Sequence, residues 1–184
     1  MKQSLSAFHK KTPLSSVLLL AVLAVMSGGC KIYSFSGASI DPKAKTIKLD
    51  NFDNKAQFIN PSLAPQLLQA VQKKIVGQTR LSSTSSDNAD YEVGGYVTSY
   101  GVSTSGISNQ QASGSRLVVT FHVIFKNHLD PTGKTVGPAD FEDDVTSSVD
   151  FSAQSSFSSV EAQLLTTIVT NMSNDIFNRL FSSW

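Results

Sequence analysis

Leu117-Val118-Val119-Thr120-Phe121-His122-Val123-Ile124-Phe125-Lys126-Asn127-His128-Leu129 is the stretch on which the fold turns. Leu117, Val119, Phe121, Val123 and Phe125 form an unbroken apolar row, while Val118, Thr120, His122, Ile124 and Lys126 form a mixed one. Successive side chains of a strand point to opposite sides. The pattern therefore predicts a central strand with one face in a core and the other facing water or a polar partner.

Working outward, Asp130-Pro131-Thr132-Gly133 is turn chemistry: proline presets one dihedral and glycine accepts a positive one. A second strand is expected from about Ala139 to Phe151, with Phe141, Val145, Val149 and Phe151 on one side and Glu142, Asp144, Thr146 and Asp150 on the other. The two make an antiparallel hairpin. On the upstream side, Asp90 to Val102 alternates well enough for a strand, and its paired Gly94 and Gly95 suggest a bulge or a close backbone approach. Between them the polar stretch from Ser99 to Ser115, with Asn109, Gln110 and Gln111, has no charge and little apolar alternation and is expected to be a loop.

Further out, Thr46-Ile47-Lys48-Leu49-Asp50 reads as a first strand ending near Phe52. Asn60-Pro61 then starts a helix over about 61–76, because Leu63, Leu67, Leu68, Val71, Ile75 and Val76 recur at spacings of three and four and Gly77 is placed to end it. Near the end, Ser158 and Glu161 stand at capping-box spacing, and Val160, Leu164, Leu165, Ile168, Val169, Met172, Ile176, Phe177, Leu180 and Phe181 continue at helical spacing. The resulting expectation is an α+β fold: a two-layer sandwich whose four-stranded mixed sheet is covered on one face by two helices, in the order β-α-β-β-β-α. The other face, with Val118, Thr120, His122, Ile124, Glu142, Asp144 and Thr146, is left open.

The first thirty residues belong to a different kind of sequence. Lys2, Lys10 and Lys11 precede an apolar run from Val17 to Met26, and Ser27-Gly28-Gly29 leads to Cys30, the one cysteine in the chain. This is the order of parts in an exported, cleaved segment. About ten apolar residues are half of what a membrane-crossing helix needs, roughly twenty. Residues 1–29 are thus read as a cleaved signal, 30–44 as an anchor and tether, and 45–184 as a single domain. Removing three of the fifteen basic residues and none of the fourteen acidic ones leaves a balance of about −2, which excludes a nucleic-acid-binding surface as the organising feature.

The Gly29-Cys30 junction resembles the lipobox of bacterial lipoproteins, in which cleavage precedes a cysteine that is then lipidated, although Ser27 stands where that pattern has a leucine-like residue. On that resemblance Cys30 is the lipidation site, carrying palmitate-type chains. Two or three chains give a durable anchor, since each buried methylene contributes about 0.8 kcal/mol and a single chain is marginal. Lys31 after the cysteine is not the aspartate that retains lipoproteins at the inner membrane, so an outer-membrane location facing the periplasm is expected.

No catalytic or metal set is legible. His122 and His128 lie six residues apart on one strand, roughly 20 Å at strand rise, and cannot share a metal; His9 leaves with the signal. Glu142, Asp143 and Asp144 are split by alternation, and neither a Gly-x-Ser-x-Gly elbow nor a phosphate-cradling glycine loop occurs. No cofactor is expected and the chain reads as a binding or structural protein.

Lys31-Ile32-Tyr33-Ser34-Phe35-Ser36-Gly37-Ala38-Ser39-Ile40 after Cys30, Thr46 to Phe52, Asn60-Pro61-Ser62-Leu63, Phe151-Ser152, Phe157-Ser158-Ser159-Val160-Glu161, Asp175-Ile176-Phe177-Asn178 and Trp184 form an ordered set that resembles the LptE family of lipopolysaccharide-assembly lipoproteins. The resemblance implies a plug inside the outer-membrane barrel LptD that helps it assemble and pass lipopolysaccharide to the surface. It also implies lipopolysaccharide contacts through basic residues near strand ends, for which Arg116, Lys126 and Lys134 are the candidates. The 99–115 segment is expected to touch the barrel. A lipoprotein binding a small hydrophobic ligand between sheet and helices is the alternative.

Overall fold

A computed structural model describes residues 40–108, 111–134 and 137–182. Cys30, the signal segment and Trp184 lie outside the described residues, as do Asn109 and Gln110. The elements are β1 (Thr46–Asn54), α1 (Leu63–Gln78), β2 (Ser82–Thr84), β3 (Tyr91–Ser108), β4 (Gln111–Asn127), β5 (Phe141–Ser152) and α2 (Phe157–Phe181). They form one sheet of five strands in the order β2-β1-β3-β4-β5, with β1 parallel to both its neighbours and β3, β4 and β5 successively antiparallel.

Four strands were expected, and the fifth is β2. Ser82-Ser83-Thr84 carries no apolar alternation; buried Leu81 beside it and the Ser82 N–H donating to the Lys45 carbonyl hold it parallel to Thr46–Lys48. Tertiary pairing, not propensity, makes this strand. The element order is accordingly β-α-β-β-β-β-α.

The core lies between the sheet and both helices. Leu117, Val119, Phe121, Val123 and Phe125 are all buried, and Leu63, Leu67, Val71 and Ile75 of α1 and Leu164, Ile168, Met172 and Ile176 of α2 join them in one cluster. Phe52 meets Phe121 with ring centroids 4.6 Å apart, and Phe181 packs edge-on against Phe125. The bulge expected near Gly94-Gly95 is present: the β1–β3 register slips between Leu49 and Phe52 opposite Val93 and Gly95. Gly95 has φ +154°, and a Cβ there would stand 2.2 Å from the His122 carbonyl oxygen and 2.6 Å from the Phe121 ring. Only glycine fits.

The polar stretch from Ser99 to Ser115 is not a loop. β3 and β4 continue through it as a hairpin, with Ser103 opposite Arg116, Thr104 opposite Ser115 and Gly106 opposite Gly114. The alternation that would have marked these residues as strand is missing because no helix reaches them, and Val102, on the side that is core further down, is 47% exposed.

Two helix starts also differ from expectation. The N-cap of α2 is Ser156 and not Ser158, and neither of these side chains caps the helix. Glu161 does not close a capping box; its Oε1 accepts from the Tyr100 hydroxyl at 2.6 Å and from Asn60 Nδ2 at 2.8 Å. In α1 the cap falls at Ser62, whose N–H donates to Asn60 Oδ1. Glu161 therefore ties α2 to β3 and to the entry of α1, three segments distant in sequence. Gly77 does not stop α1, which runs on to Gln78.

Candidate functional site

The exposed features of the domain gather on the open sheet face and at its two ends. Alternation places Thr120, His122, Glu142, Asp144, Thr146 and Asp150 there, as the sequence predicts, and the β4–β5 register sets them directly opposite one another: Arg116 by Asp150, Thr120 by Thr146, His122 by Asp144, Ile124 by Glu142. Each polar pair closes. Arg116 grips Asp150 with two bonds of 2.7 and 3.0 Å. The Thr120 and Thr146 hydroxyls are 3.0 Å apart. His122 reaches Asp144 through Nδ1 at 2.7 Å and Glu142 through Nε2 at 3.2 Å, and Tyr96 covers its ring at 5.1 Å, with Lys55 Nζ over the other ring at 3.7 Å.

The electrostatics follow from these contacts. Hydrogen bonds that Asp144 and then Glu142 accept from its ring raise the His122 pKa above the ordinary histidine value, because both carboxylates favour the imidazolium. Arg116 holds the Asp150 carboxyl below its usual range. Towards the other end, Lys126 lowers Glu92 in the same way at 3.0 Å, and His128 Nε2 adds a contact to Glu92 at 3.5 Å. Lys48 bridges Asp50 at 3.1 Å and Asp87 at 2.9 Å. Asp143, sent to the helix side by alternation, pairs with Arg179 of α2.

Arg116, Lys126 and Lys134 are not brought together. Arg116 and Lys126 stand ten residues apart on β4, roughly 33 Å at strand rise, and both already serve carboxylates. Lys134 is exposed in the β4–β5 connection and has no ion pair among the described residues. His122 and His128 serve different carboxylates, and among the described residues no group of three or more His, Cys, Asp or Glu is arranged to hold a metal.

At the far end, the segment expected as an exposed contact loop is instead an exposed hairpin, and a second exposed feature beside it was missed by sequence reasoning. The β3–β4 hairpin beyond Tyr100 is bare of helix cover. Beside it, in the β1–α1 connection, Phe58 and Ile59 are 67% and 64% exposed. The neighbourhood follows from the chain: Lys55 N–H donates to the Val97 carbonyl, and Asn60 and Tyr100 share Glu161. Adjacent apolar residues in a predicted connection were the available signal.

A mixed sheet with a greasy face under two helices and a wet face of mutually paired polar groups defines a two-layer α+β domain. The family model for LptE, described as lipopolysaccharide-assembly, matches residues 44–180, and the chain belongs to that family. Among solved structures it is similar to a minor lipoprotein from Acinetobacter baumannii (11% identity, covering 73% of this chain and 91% of that one, TM-score 0.48). It is also similar to an uncharacterized lipoprotein B from Nitrosomonas europaea (10% identity, 73% and 80% covered, TM-score 0.47) and to the rare lipoprotein B from Shewanella oneidensis (8% identity, 72% and 89% covered, TM-score 0.40). No curated protein matches the sequence. No helix of the described residues is long and apolar enough to cross a membrane, which says nothing of a β-barrel.

Proposed function

We propose that this protein is a lipid-anchored, periplasm-facing outer-membrane lipoprotein that seats as a non-catalytic plug in an LptD-type barrel, helps it assemble and assists delivery of lipopolysaccharide. Family membership over residues 44–180 is the observation that carries the reading. The geometry supports it: an open face whose charges are already paired can lie against the polar lumen of a large barrel without the desolvation cost of an unpaired charge. The β3–β4 hairpin, with its run of hydroxyls and glycines, is the segment proposed to reach furthest into that lumen.

Cys30 is the proposed lipid site, with cleavage before it removing residues 1–29. Arg116, Lys126 and Lys134 remain the proposed lipopolysaccharide contacts. For Arg116 and Lys126 such contact requires a phosphate to share or displace an existing carboxylate partner, whereas Lys134 is open. The alternative, a small hydrophobic ligand between sheet and helices, is disfavoured by the side chains of Leu67, Val71, Phe121 and Ile168 that fill this interface, all fully buried.

Affinity purification from detergent-solubilised outer membranes tests the reading. The protein should co-purify in stoichiometric amount with a large β-barrel, and recovery without one contradicts the plug. Mass spectrometry of the mature N-terminus separately tests the anchor: a diacylated Cys30 is expected, and an unmodified Cys30 or cleavage at another bond ends that part of the proposal.

A further inference from the structure

β5 is the last strand of the sheet, and among the described residues nothing pairs with its outer edge. Side-chain bonds show which of its backbone groups are free. Thr98 Oγ1 donates to the Thr120 carbonyl across the β3–β4 pair, while the Asn127 N–H donates towards the β5 side, to Asp140. Even-numbered residues of β4 therefore face β3 and odd-numbered ones face β5, since backbone direction alternates along a strand. With Phe121 opposite Val145, the odd-numbered residues of β5 bond β4. Glu142, Asp144, Thr146, Ser148 and Asp150 turn their N–H and C=O groups outward.

The two ends of this edge are blunted from within. The Asp144 N–H donates to Asp143 Oδ1 at 2.9 Å, and the Ser152 carbonyl accepts from Ser155 N–H. Among the described residues Thr146, Ser148 and Asp150 are left as an open ladder. Their flanks are acidic on β5 itself, which contains four carboxylates and no basic residue. Asp150 is shared with Arg116, Asp144 and Glu142 with His122, and Asp143 with Arg179, so a basic partner would have to share these carboxylates with their present cations. A groove of about 290 Å³ between β5 and the last turn of α2 adds Asp175 beside Asp143, Asp144 and Arg179.

We propose that the outer edge of β5 docks an extended partner segment carrying Lys or Arg at alternate positions, which joins the sheet beside Thr146–Asp150 as a further strand. Main-chain bonds to the open ladder supply the pairing. Residues directly opposite Glu142, Asp144 and Asp150 project onto the same open face, where opposite charges across strands attract and like charges repel. A second copy of β5 brings only carboxylates to carboxylates, so charge selects a basic partner over self-pairing.

The probe is a fluorophore-labelled peptide of alternating valine and lysine, titrated by anisotropy into the full chain in detergent. Binding is expected, together with slowed exchange of the Thr146 and Ser148 amide protons. A counterpart with glutamate for lysine should not bind. Ser148→Pro removes one outward N–H that serves no bond within the sheet, a position where proline is tolerated, and should weaken binding about tenfold or more with the melting temperature little changed. Equal binding to Ser148→Pro would reduce the effect to general charge attraction and overturn the proposal, as would no binding at all or unchanged amide exchange. Ser148→Pro-sensitive dimers in sedimentation would assign the edge to a second copy instead. If Ser148→Pro does not fold, amide exchange in the unsubstituted chain decides.

Discussion

The two faces of β4 differ in what a side chain there does. Towards the helices, Leu117, Val119, Phe121, Val123 and Phe125 have lost almost all contact with water, and each stabilises the fold through burial and close packing. Towards the open side, Arg116, Thr120 and His122 spend their bonding capacity on β5 and remain in contact with solvent. One strand thus carries the domain's stability on its odd-numbered residues and its outward chemistry on its even-numbered ones. Substitutions on the first set should unfold the protein, and substitutions on the second should leave it folded.

The largest expected effect is Phe121→Ala, at the centre of the buried face against Phe52. It should cost about 3–5 kcal/mol in urea unfolding. A loss below about 1 kcal/mol would mean that the two faces do not differ as described.

Gly95→Ala comes next, because the new Cβ would collide with the His122 backbone at a positive φ. Such strain costs on the order of 1–3 kcal/mol, read as a fall in melting temperature. Wild-type stability in this variant would show that β3 and β4 can separate locally at no cost.

Glu161→Ala tests the tie between layers. It leaves the part-buried Tyr100 hydroxyl and Asn60 amide without their shared acceptor, at about 1–3 kcal/mol. The Tyr100 hydroxyl, its pKa raised by burial and by the bond to Glu161, should then titrate at lower pH in an ultraviolet pH series.

The smallest effect belongs to the open face. His122→Gln should shift stability by less than about 1 kcal/mol, as exposed ion pairs do, and the shift should depend on pH in one direction. The folded-state pKa of His122 lies above its unfolded value, so the stabilisation is complete below the ordinary histidine value of about 6.5 and disappears as pH rises through the raised folded value. Melting temperatures of the two proteins should converge at alkaline pH. Divergence there would mean that the neutral imidazole holds the face together.

Where burial imposed a period, the sequence was legible. The alternation from Leu117 to Phe125, the apolar stripes of both helices, the Gly94-Gly95 bulge and the separation of Asp143 from its neighbours all follow from which side faces the core. The misses share a cause. β2 and the outer part of the β3–β4 hairpin are strands by backbone pairing alone, with no face to bury, and so carry no alternation to read. Glu161 stood at the right distance from Ser158 for a capping box, yet the stronger demand came from Tyr100 and Asn60, whose positions depend on the assembled fold. The candidate cations were identified by type and strand-end placement, but that Arg116 and Lys126 already serve Asp150 and Glu92 depends on cross-strand register.

Site-specific photocrosslinking in cells addresses the central claim most directly, with a photoreactive residue placed in turn at Thr104 on the bare hairpin, Ser148 on the open face and Lys73 on the solvent side of α1. A plug that presents its hairpin and open face should yield crosslinks to a large β-barrel from Thr104 and Ser148, with markedly less from Lys73. Crosslinks from Lys73 alone, or from none of the three positions, would contradict the account.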